Sequence, residues 1–222
     1  MQVNEDQKAI QDLRKEYSSQ QLNEEDAGAN PFDLFKTWFD EAVKADVLEP
    51  NAMCVSSCGK DLKPSSRFVL LKGFDERGFV FYTNYESRKS QQLTENPNAA
   101  ATFWWGALER QIRIEGQVEK VSSDESDQYF NSRGKGSQIG AWTSDQSRPI
   151  ENRAELEKKE DELKKKYEAM EKVERPPHWG GWRIIPSYIE FWKGRQSRLH
   201  DRIVFEREEA SQNLWSKKRL QP

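Results

Sequence analysis

The sequence predicts a mainly β, α+β fold: an antiparallel barrel with helices packed outside it. Three observations carry this. Short apolar or alternating runs recur between turns along most of the chain, as at Phe79–Thr83, Ala99–Trp105 and Ile112–Val118. Helical patterns are few, and strand–helix–strand alternation is too sparse for a doubly wound parallel sheet. At 222 residues the chain is long enough for one domain with its own core, and Trp 8, Phe 11 and Tyr 6 compensate for a hydrophobic fraction of only 35%.

In chain order, a short helical pattern around Ile10, Leu13 and Tyr17 sits in a polar N-terminal stretch. Asn30-Pro31 then opens a helix, Asn as N-cap and Pro at the first helical position, with Phe32, Phe35, Trp38, Phe39 and Val43 as its apolar face. Ala52–Ser56 reads as a strand. Arg67–Leu71 and Phe79–Thr83, separated by a turn over Gly73–Gly78, read as a hairpin. Ser87–Asn96 is a short helix stopped by Pro97, and Ala99–Trp105 is a strongly apolar strand. Ile112, Ile114, Gly116 and Val118 alternate with polar residues, as in a half-buried strand.

Residues 122–144 read as helix and loop, and Trp179-Gly180-Gly181-Trp182 as a tight aromatic turn. Residues 151–173 read as a charged helix with a thin stripe of Leu156, Leu163, Tyr167 and Met170, lying solvated against the barrel rather than in a coiled coil. Strands resume at Trp182–Ile185, Ile189–Trp192 and Ile203–Arg207, with another near Leu214-Trp215.

Composition narrows the function. A net charge of −3 argues against a general nucleic-acid binder. Nothing approaches the ~20 apolar residues of a membrane span, and the polar N-terminus does not read as a signal peptide, so a soluble, cytoplasmic protein is expected. Cys54 and Cys58 are too far apart along a strand for a disulfide and have no histidine near them for zinc; free thiols in a reducing compartment follow. The phosphate-loop, dinucleotide, zinc-protease and serine-hydrolase motifs are all missing, so no metal is expected.

What remains are dispersed cations and hydroxyls. Arg67 and Lys72 lie at the two ends of one strand on opposite faces, serving two anions or standing as solvent-exposed ends. Thr83 precedes Ser87-Arg88-Lys89 at a helix start, where free N–H groups and added positive charge suit a phosphate. Tyr129, Arg133 and Ser137 recur every four residues; Gly134 and Gly136 interrupt a continuous helix, so the reading is a helix end running into a loop, either converging on something polar or lying on the surface. Gln111 offers an amide edge to a heterocycle. In Arg198-Leu199-His200-Asp201-Arg202, after the aromatic run Tyr188–Trp192, two guanidiniums flank a histidine, a combination that suits a small, planar, anionic ligand.

Taken together these motifs resemble the pyridoxine/pyridoxamine 5′-phosphate oxidase family. The carriers are Arg67–Phe74, Tyr82-Thr83-Asn84 with Ser87-Arg88-Lys89, Glu109–Gly116, Tyr129-Phe130 with Arg133, Ser137–Trp142, Gln146-Ser147, Glu190-Phe191-Trp192 and Ser197–Arg202. The resemblance runs from about Pro31 to the C-terminus. It implies a dimeric, Greek-key, FMN-binding split β-barrel (residues 31–222), preceded by a mobile N-terminal segment (residues 1–30), with flavin sites at the subunit interface.

The resemblance also implies the activity: oxidation of pyridoxine 5′-phosphate and pyridoxamine 5′-phosphate to pyridoxal 5′-phosphate, with O₂ as acceptor. Carried over by position, the FMN contacts are Arg67, Phe68, Val69, Leu70, Leu71 and Lys72; Tyr82, Thr83, Arg88 and Lys89; and Gln111, Gln146, Ser147, Trp192 and Arg202, some reaching across from the partner subunit. The substrate contacts are Lys72, Tyr129, Arg133 and Ser137 for the phosphate, Arg198, Leu199 and His200 around the ring, and Arg14 and Tyr17 from the N-terminal segment. Arg198 and His200 are the expected catalytic pair. Gly134 stands where the family usually has proline, and Gln221 where it usually has alanine. Two other readings remain at this stage: a related flavin oxidase of another heterocycle, of the phenazine type, and a non-enzymatic carrier of FMN or pyridoxal phosphate.

Overall fold

The computed structural model describes residues 8, 10, 13, 16–17, 21–207 and 214–222. Most of the residues around Ile10, Leu13 and Tyr17, Arg14 among them, lie outside the described set.

The first helix, α1 (Pro31–Lys44), starts as expected: the Asn30 side chain accepts the Phe32 N–H at 2.9 Å and Pro31 occupies the first turn. Its buried face is Phe32, Leu34, Phe35, Trp38 and Ala42, whereas Val43 points to solvent. Phe35 sits at the centre of the core, edge-on to Phe74, Phe79 and Phe103 at centroid distances of 4.8, 4.9 and 5.3 Å.

Among the described residues nine strands form one antiparallel sheet: β1 (Ala52–Ser57), β2 (Ser65–Leu70), β3 (Gly73–Asp75), β4 (Gly78–Asn84), β5 (Asn98–Trp105), β6 (Arg110–Lys120), β7 (Trp179–Lys193), β8 (Asp201–Arg207) and β9 (Trp215–Arg219). The main order is β2-β1-β5-β6-β7-β4-β3, with β8 branching from β7 and β9 continuing from β8. The Lys72 N–H donates to the Val80 carbonyl at 2.8 Å and brings the end of β2 back beside β4, so the sheet curls into a split barrel.

Several local expectations are corrected. The expected hairpin of Arg67–Leu71 with Phe79–Thr83 is two pairings: β2 returns on β1 (Arg67 opposite Val55), and β4 turns back on the short β3 (Val80 opposite Gly73). A hairpin turn read from sequence cannot tell which neighbour a strand chooses. The two expected strands at 182–192 are one 15-residue strand, and Trp179-Gly180-Gly181-Trp182 is its beginning rather than a turn. A register shift at Glu115/Gly116, opposite Pro186, bends β6 and β7 there. Gly116 is required at that point, since a Cβ would meet the Ile185 carbonyl oxygen at 2.0 Å. β7 is therefore shared: its first half pairs with β4 and its second with β8.

Outside the barrel stand α2 (Arg88–Glu95), α3 (Ser123–Ser132), α4 (Lys135–Thr143) and α5 (Arg153–Glu168). The loop expected after α3 is only a break at Arg133-Gly134, after which a second helix begins. The charged helix α5 ends at Glu168 and packs on α4. Tyr167 joins Phe130, Ile139 and Trp179 in a second apolar cluster, while Met170 is exposed.

Leu22 and Ala27 are buried in the main core ahead of α1. Strand β9 holds this stretch: Arg219 donates to Glu24 and to the Leu22 carbonyl, and Lys217 to the carbonyls of Glu24 and Gly28. The Leu22 N–H in turn donates to Asp201. Among the described residues no helix is long and apolar enough to cross a membrane, and no cluster of His, Cys, Asp and Glu could hold a metal ion.

Candidate functional site: a cationic cavity and a separate aromatic one

A cavity of about 930 Å³ opens between β2, β4 and the α3–α4 break. Its cations are Arg67, Lys72, Arg88, Lys89 and Arg133, and among the described residues no Asp or Glu lines it. On a chain of net negative charge, that is a strong local field for an anion.

Two groups of residues make up the polar wall. The first joins β2, the end of β4 and the start of α2. Arg67 Nη1 donates to the Val55 carbonyl at 3.2 Å and to Ser57 Oγ at 2.7 Å, so its partners are neutral. Lys89 is buried; its Nζ donates to Thr83 Oγ1 at 2.8 Å and Gln146 Oε1 at 2.9 Å. Burial, with Arg67 nearby, pulls the Lys89 ammonium down to about 8. Arg88 is the first residue of α2, whose first turn carries no acid and whose Ser87 N-cap makes no side-chain capping bond.

The second group is Lys72, Tyr129, Arg133 and Ser137, from the end of β2, α3 and α4. Arg133 caps α3 and lies over the Trp179 ring, its Cζ 4.6 Å from the centroid. Its Nη1 is buried without a hydrogen-bond acceptor, and burial lowers its pKa. Arg67 and Lys72, the ends of the two groups, are about 17 Å apart along extended chain. Between them Phe68, Val69, Leu70 and Tyr82 supply apolar and aromatic wall. Leu71, expected beside them, is buried in the core instead.

Gln146 and Ser147 also line this cavity, and the remaining expected residues lie elsewhere. Tyr17, Trp192, Arg198 and His200 line a separate cavity of about 430 Å³ that shares no lining residue with the first. Leu199 is exposed. The run Arg198–Arg202 is not one continuous extended segment. Gln196–Arg198 is a 3₁₀ turn, Ser197 and Arg198 have φ of 55° and 62°, and extended pairing begins only at Asp201.

His200 Nδ1 accepts the Arg195 backbone N–H at 3.1 Å, which leaves a neutral ring with its proton on Nε2. Burial, then Arg198, keeps its pKa below the ordinary histidine value, against the opposing pull of Asp201. Its ring packs against Trp192 and Tyr17 at centroid distances of 4.6 and 5.6 Å.

Cross-strand register sets Trp104, Gln111, Trp192 and Arg202 side by side across β5, β6, β7 and β8. Arg202 is bidentate on buried Glu190, with Nε and Nη2 each 2.9 Å from a carboxylate oxygen. Burial raises the Glu190 pKa, but the Arg202 and Tyr188 hydrogen bonds outweigh it and hold the carboxyl below its usual range. Sequence reasoning missed Trp104, Glu190 and Trp179. The place of Trp104 beside Gln111 and the bond of Glu190 to Arg202 appear only once register is known; Trp179, read as packing, also lines the cationic cavity.

The fold and this site define a class: a split-barrel protein with a cationic cavity that none of the described Asp or Glu residues lines, suited to an anion. Comparison with known proteins makes it specific. Residues 39–167 match the family model described as pyridoxamine 5′-phosphate oxidase, and residues 179–222 match the pyridoxine 5′-phosphate oxidase C-terminal dimerisation region. The chain is 56% identical over 214 residues to the pyridoxine/pyridoxamine 5′-phosphate oxidase of Gloeothece citriformis, covering 96% of this chain and 99% of that protein. It is 54% identical to the protein of the same name from Burkholderia vietnamiensis, at the same coverage. Among solved structures, PhzG from Burkholderia lata, in complex with tetrahydrophenazine-1-carboxylic acid, superposes with a TM-score of 0.85 at 31% identity, over 93% of this chain and 100% of that one. A Nostoc punctiforme FMN-binding protein shares the fold, with a TM-score of 0.67 at 17% identity over 88% of this chain and 100% of that one. The chain belongs to the pyridoxamine 5′-phosphate oxidase family, a family of flavin-binding oxidoreductases.

Proposed function

We propose that the protein oxidises pyridoxine 5′-phosphate and pyridoxamine 5′-phosphate to pyridoxal 5′-phosphate, with FMN as its cofactor. The observation that carries this reading is the acid-free cavity with five cations in two groups, matching two phosphates. Arg67, Arg88, Lys89 and Thr83 would hold the FMN phosphate, and Lys72, Arg133, Tyr129 and Ser137 that of the substrate. The residues fit FMN chemically: Arg67 and Lys89 are satisfied only by neutral oxygens, so a phosphate dianion would be their first counter-charge. FMN held by these residues would supply the redox chemistry, a two-electron oxidation at the substrate's C4′ carbon with O₂ as final acceptor and hydrogen peroxide as by-product.

The chain's own part is to bind and orient. Arg198 and His200 would embrace the pyridine ring, His200 as an Nε2–H donor in its neutral form rather than as a base. Tyr17, packed on both His200 and Trp192, would cover that ring.

We infer a homodimer with the active site shared between copies. The two cavities lie at opposite ends of the 15-residue β7, Trp179 at one and Trp192 at the other. Along an extended strand that is on the order of 40 Å, beyond the reach of one flavin and its substrate. A second copy would bring its Gln111, Trp192, Arg198, His200 and Arg202 to the first copy's phosphate clamps. The C-terminal dimerisation-region match supports this, as does the exposure of Phe68 and Trp104 on the sheet. The free thiols Cys54 and Cys58 fit a reducing, cytoplasmic setting.

The test is direct. Purified protein should carry flavin absorbance and, given pyridoxamine 5′-phosphate in air, form aldehyde and peroxide together. Flavin without turnover would leave only a carrier. A tricyclic carboxylic acid such as the PhzG ligand would present one carboxylate to a clamp built for a phosphate dianion; faster turnover of dihydrophenazine acids than of pyridoxamine 5′-phosphate would reverse that assignment.

A further inference from the structure

Trp179 is buried, yet its ring forms part of the wall of the cationic cavity. It belongs to a cluster of three nearly parallel rings: Tyr82 lies on Tyr129 at 4.0 Å and 22°, and Trp179 lies 5.4 Å from Tyr82 at 13° and 6.1 Å from Tyr129 at 10°. The neighbouring glycine makes room for the cluster. Gly181 lies opposite Tyr82 in the β4–β7 register, and a Cβ there would meet the Tyr82 ring at 2.9 Å. The Arg133 guanidinium lies over Trp179 at 4.6 Å and over Phe130 at 5.7 Å.

Arg133 makes no ion pair among the described residues, and its buried Nη1 has no acceptor. A guanidinium without a carboxylate or carbonyl to fix it has only the ring faces to set its plane. The face of an indole attracts a cation most strongly, and more so where water is excluded.

We propose that Trp179 is a positioning residue for substrate-phosphate recognition: its ring holds the Arg133 guanidinium so that the unpartnered Nη1 faces the phosphate, and braces Tyr82 and Tyr129 beside it. This rests on the reading of Lys72, Arg133, Tyr129 and Ser137 as the substrate clamp. Trp179 acts through Arg133, so it governs substrate capture and leaves the FMN phosphate group at Arg67 and Lys89 untouched.

The test is a double-mutant cycle on the FMN-loaded protein with Trp179→Leu, Trp179→Phe, Arg133→Ala and the combined variants. Trp179→Leu should raise KM for pyridoxamine 5′-phosphate about tenfold, the size of a cation–π contact between the exposed and the fully desolvated range. Trp179→Phe, which keeps a weaker face, should raise it about threefold. The kcat should change less than about twofold for either, because the loss falls on binding and not on the reacting carbon. FMN affinity, read from flavin fluorescence, should not move. In the Arg133→Ala background neither Trp179 change should raise KM further.

Additive KM effects, or a fall in kcat or FMN affinity without a KM rise, would overturn the proposal. Should Trp179→Leu fail to fold, Trp179→Phe in both Arg133 backgrounds decides it alone. If the wild type does not oxidise pyridoxamine 5′-phosphate at all, the substrate reading fails separately. The clamp is then tested by calorimetric binding of inorganic phosphate to the FMN-loaded protein, where equal affinity in wild type and Trp179→Phe rejects it.

Discussion

Lys89 shows how one residue's surroundings set its behaviour. Buried beside Arg67, its ammonium is held near 8 instead of the usual range above 10. Without FMN, the folded protein therefore releases this proton earlier than the unfolded chain does. Between pH 8 and about 10.5 the unfolded state binds more protons, so this group's contribution to apo-protein stability improves as pH rises. FMN binding runs the other way: the phosphate needs the charged form, so affinity should fall above pH 8, approaching tenfold per pH unit. Fluorescence titrations of apo-protein across pH 7–10 measure this, and Lys89→Met should bind weakly with a flat profile. His200 makes the opposite limb. Its pKa lies below the ordinary value of about 6.5. Protonation would turn Nδ1 into a donor and break the Arg195 hydrogen bond, so kcat/KM should fall as pH drops below that value. The pH–rate profile checks this, and His200→Gln should remove the limb; its persistence would assign it to another group. Arg88 and Lys89 were legible in the sequence because cations without acids at a helix start have few structural reasons to be there. Glu190 was visible within a motif, but its bond to Arg202 follows only from the pairing of β7 and β8.

Among the elements, β7 decides most. It was legible only as two shorter strands and a turn, because two glycines and a proline interrupt its apolar pattern. Each has a tertiary cause: Gly180 and Gly181 lie under the rings of Tyr85 and Tyr82, and Pro186 faces the irregularity at Gly116. Gly116→Ala should therefore destabilise the fold by about 3 kcal/mol, since the backbone oxygen of Ile185 at 2.0 Å cannot rotate aside. Denaturant unfolding measures this; a loss under about 1 kcal/mol would mean that the strand pair relaxes freely. The α1 start, by contrast, was fully readable, because an Asn cap followed by Pro is a local arrangement that needs no partner.

The whole molecule sets apart, within one chain, residues that the family resemblance assigns to one site at a subunit interface. Trp104 stands half exposed at the head of the row Trp104–Gln111–Trp192–Arg202, its ring 6.0 Å from that of Trp192. If the second copy covers this row, Trp104→Asp buries an unpaired carboxylate at the contact. Sedimentation should then show a monomer that keeps its secondary structure and no longer retains FMN. A variant that remains dimeric and flavin-loaded would place the shared site elsewhere.

The sequence by itself determined the family resemblance, the antiparallel class and both cationic groups, because these rest on residue type and local spacing. Only the tertiary structure decided which strands pair, that Arg198 and His200 lie apart from Arg67 and Arg133 within one chain, and that Trp179 backs the phosphate clamp. Those outcomes depend on contacts between residues distant in sequence. Barrel closure, cross-strand register and ring stacking set them, and none leaves a periodic mark on the chain.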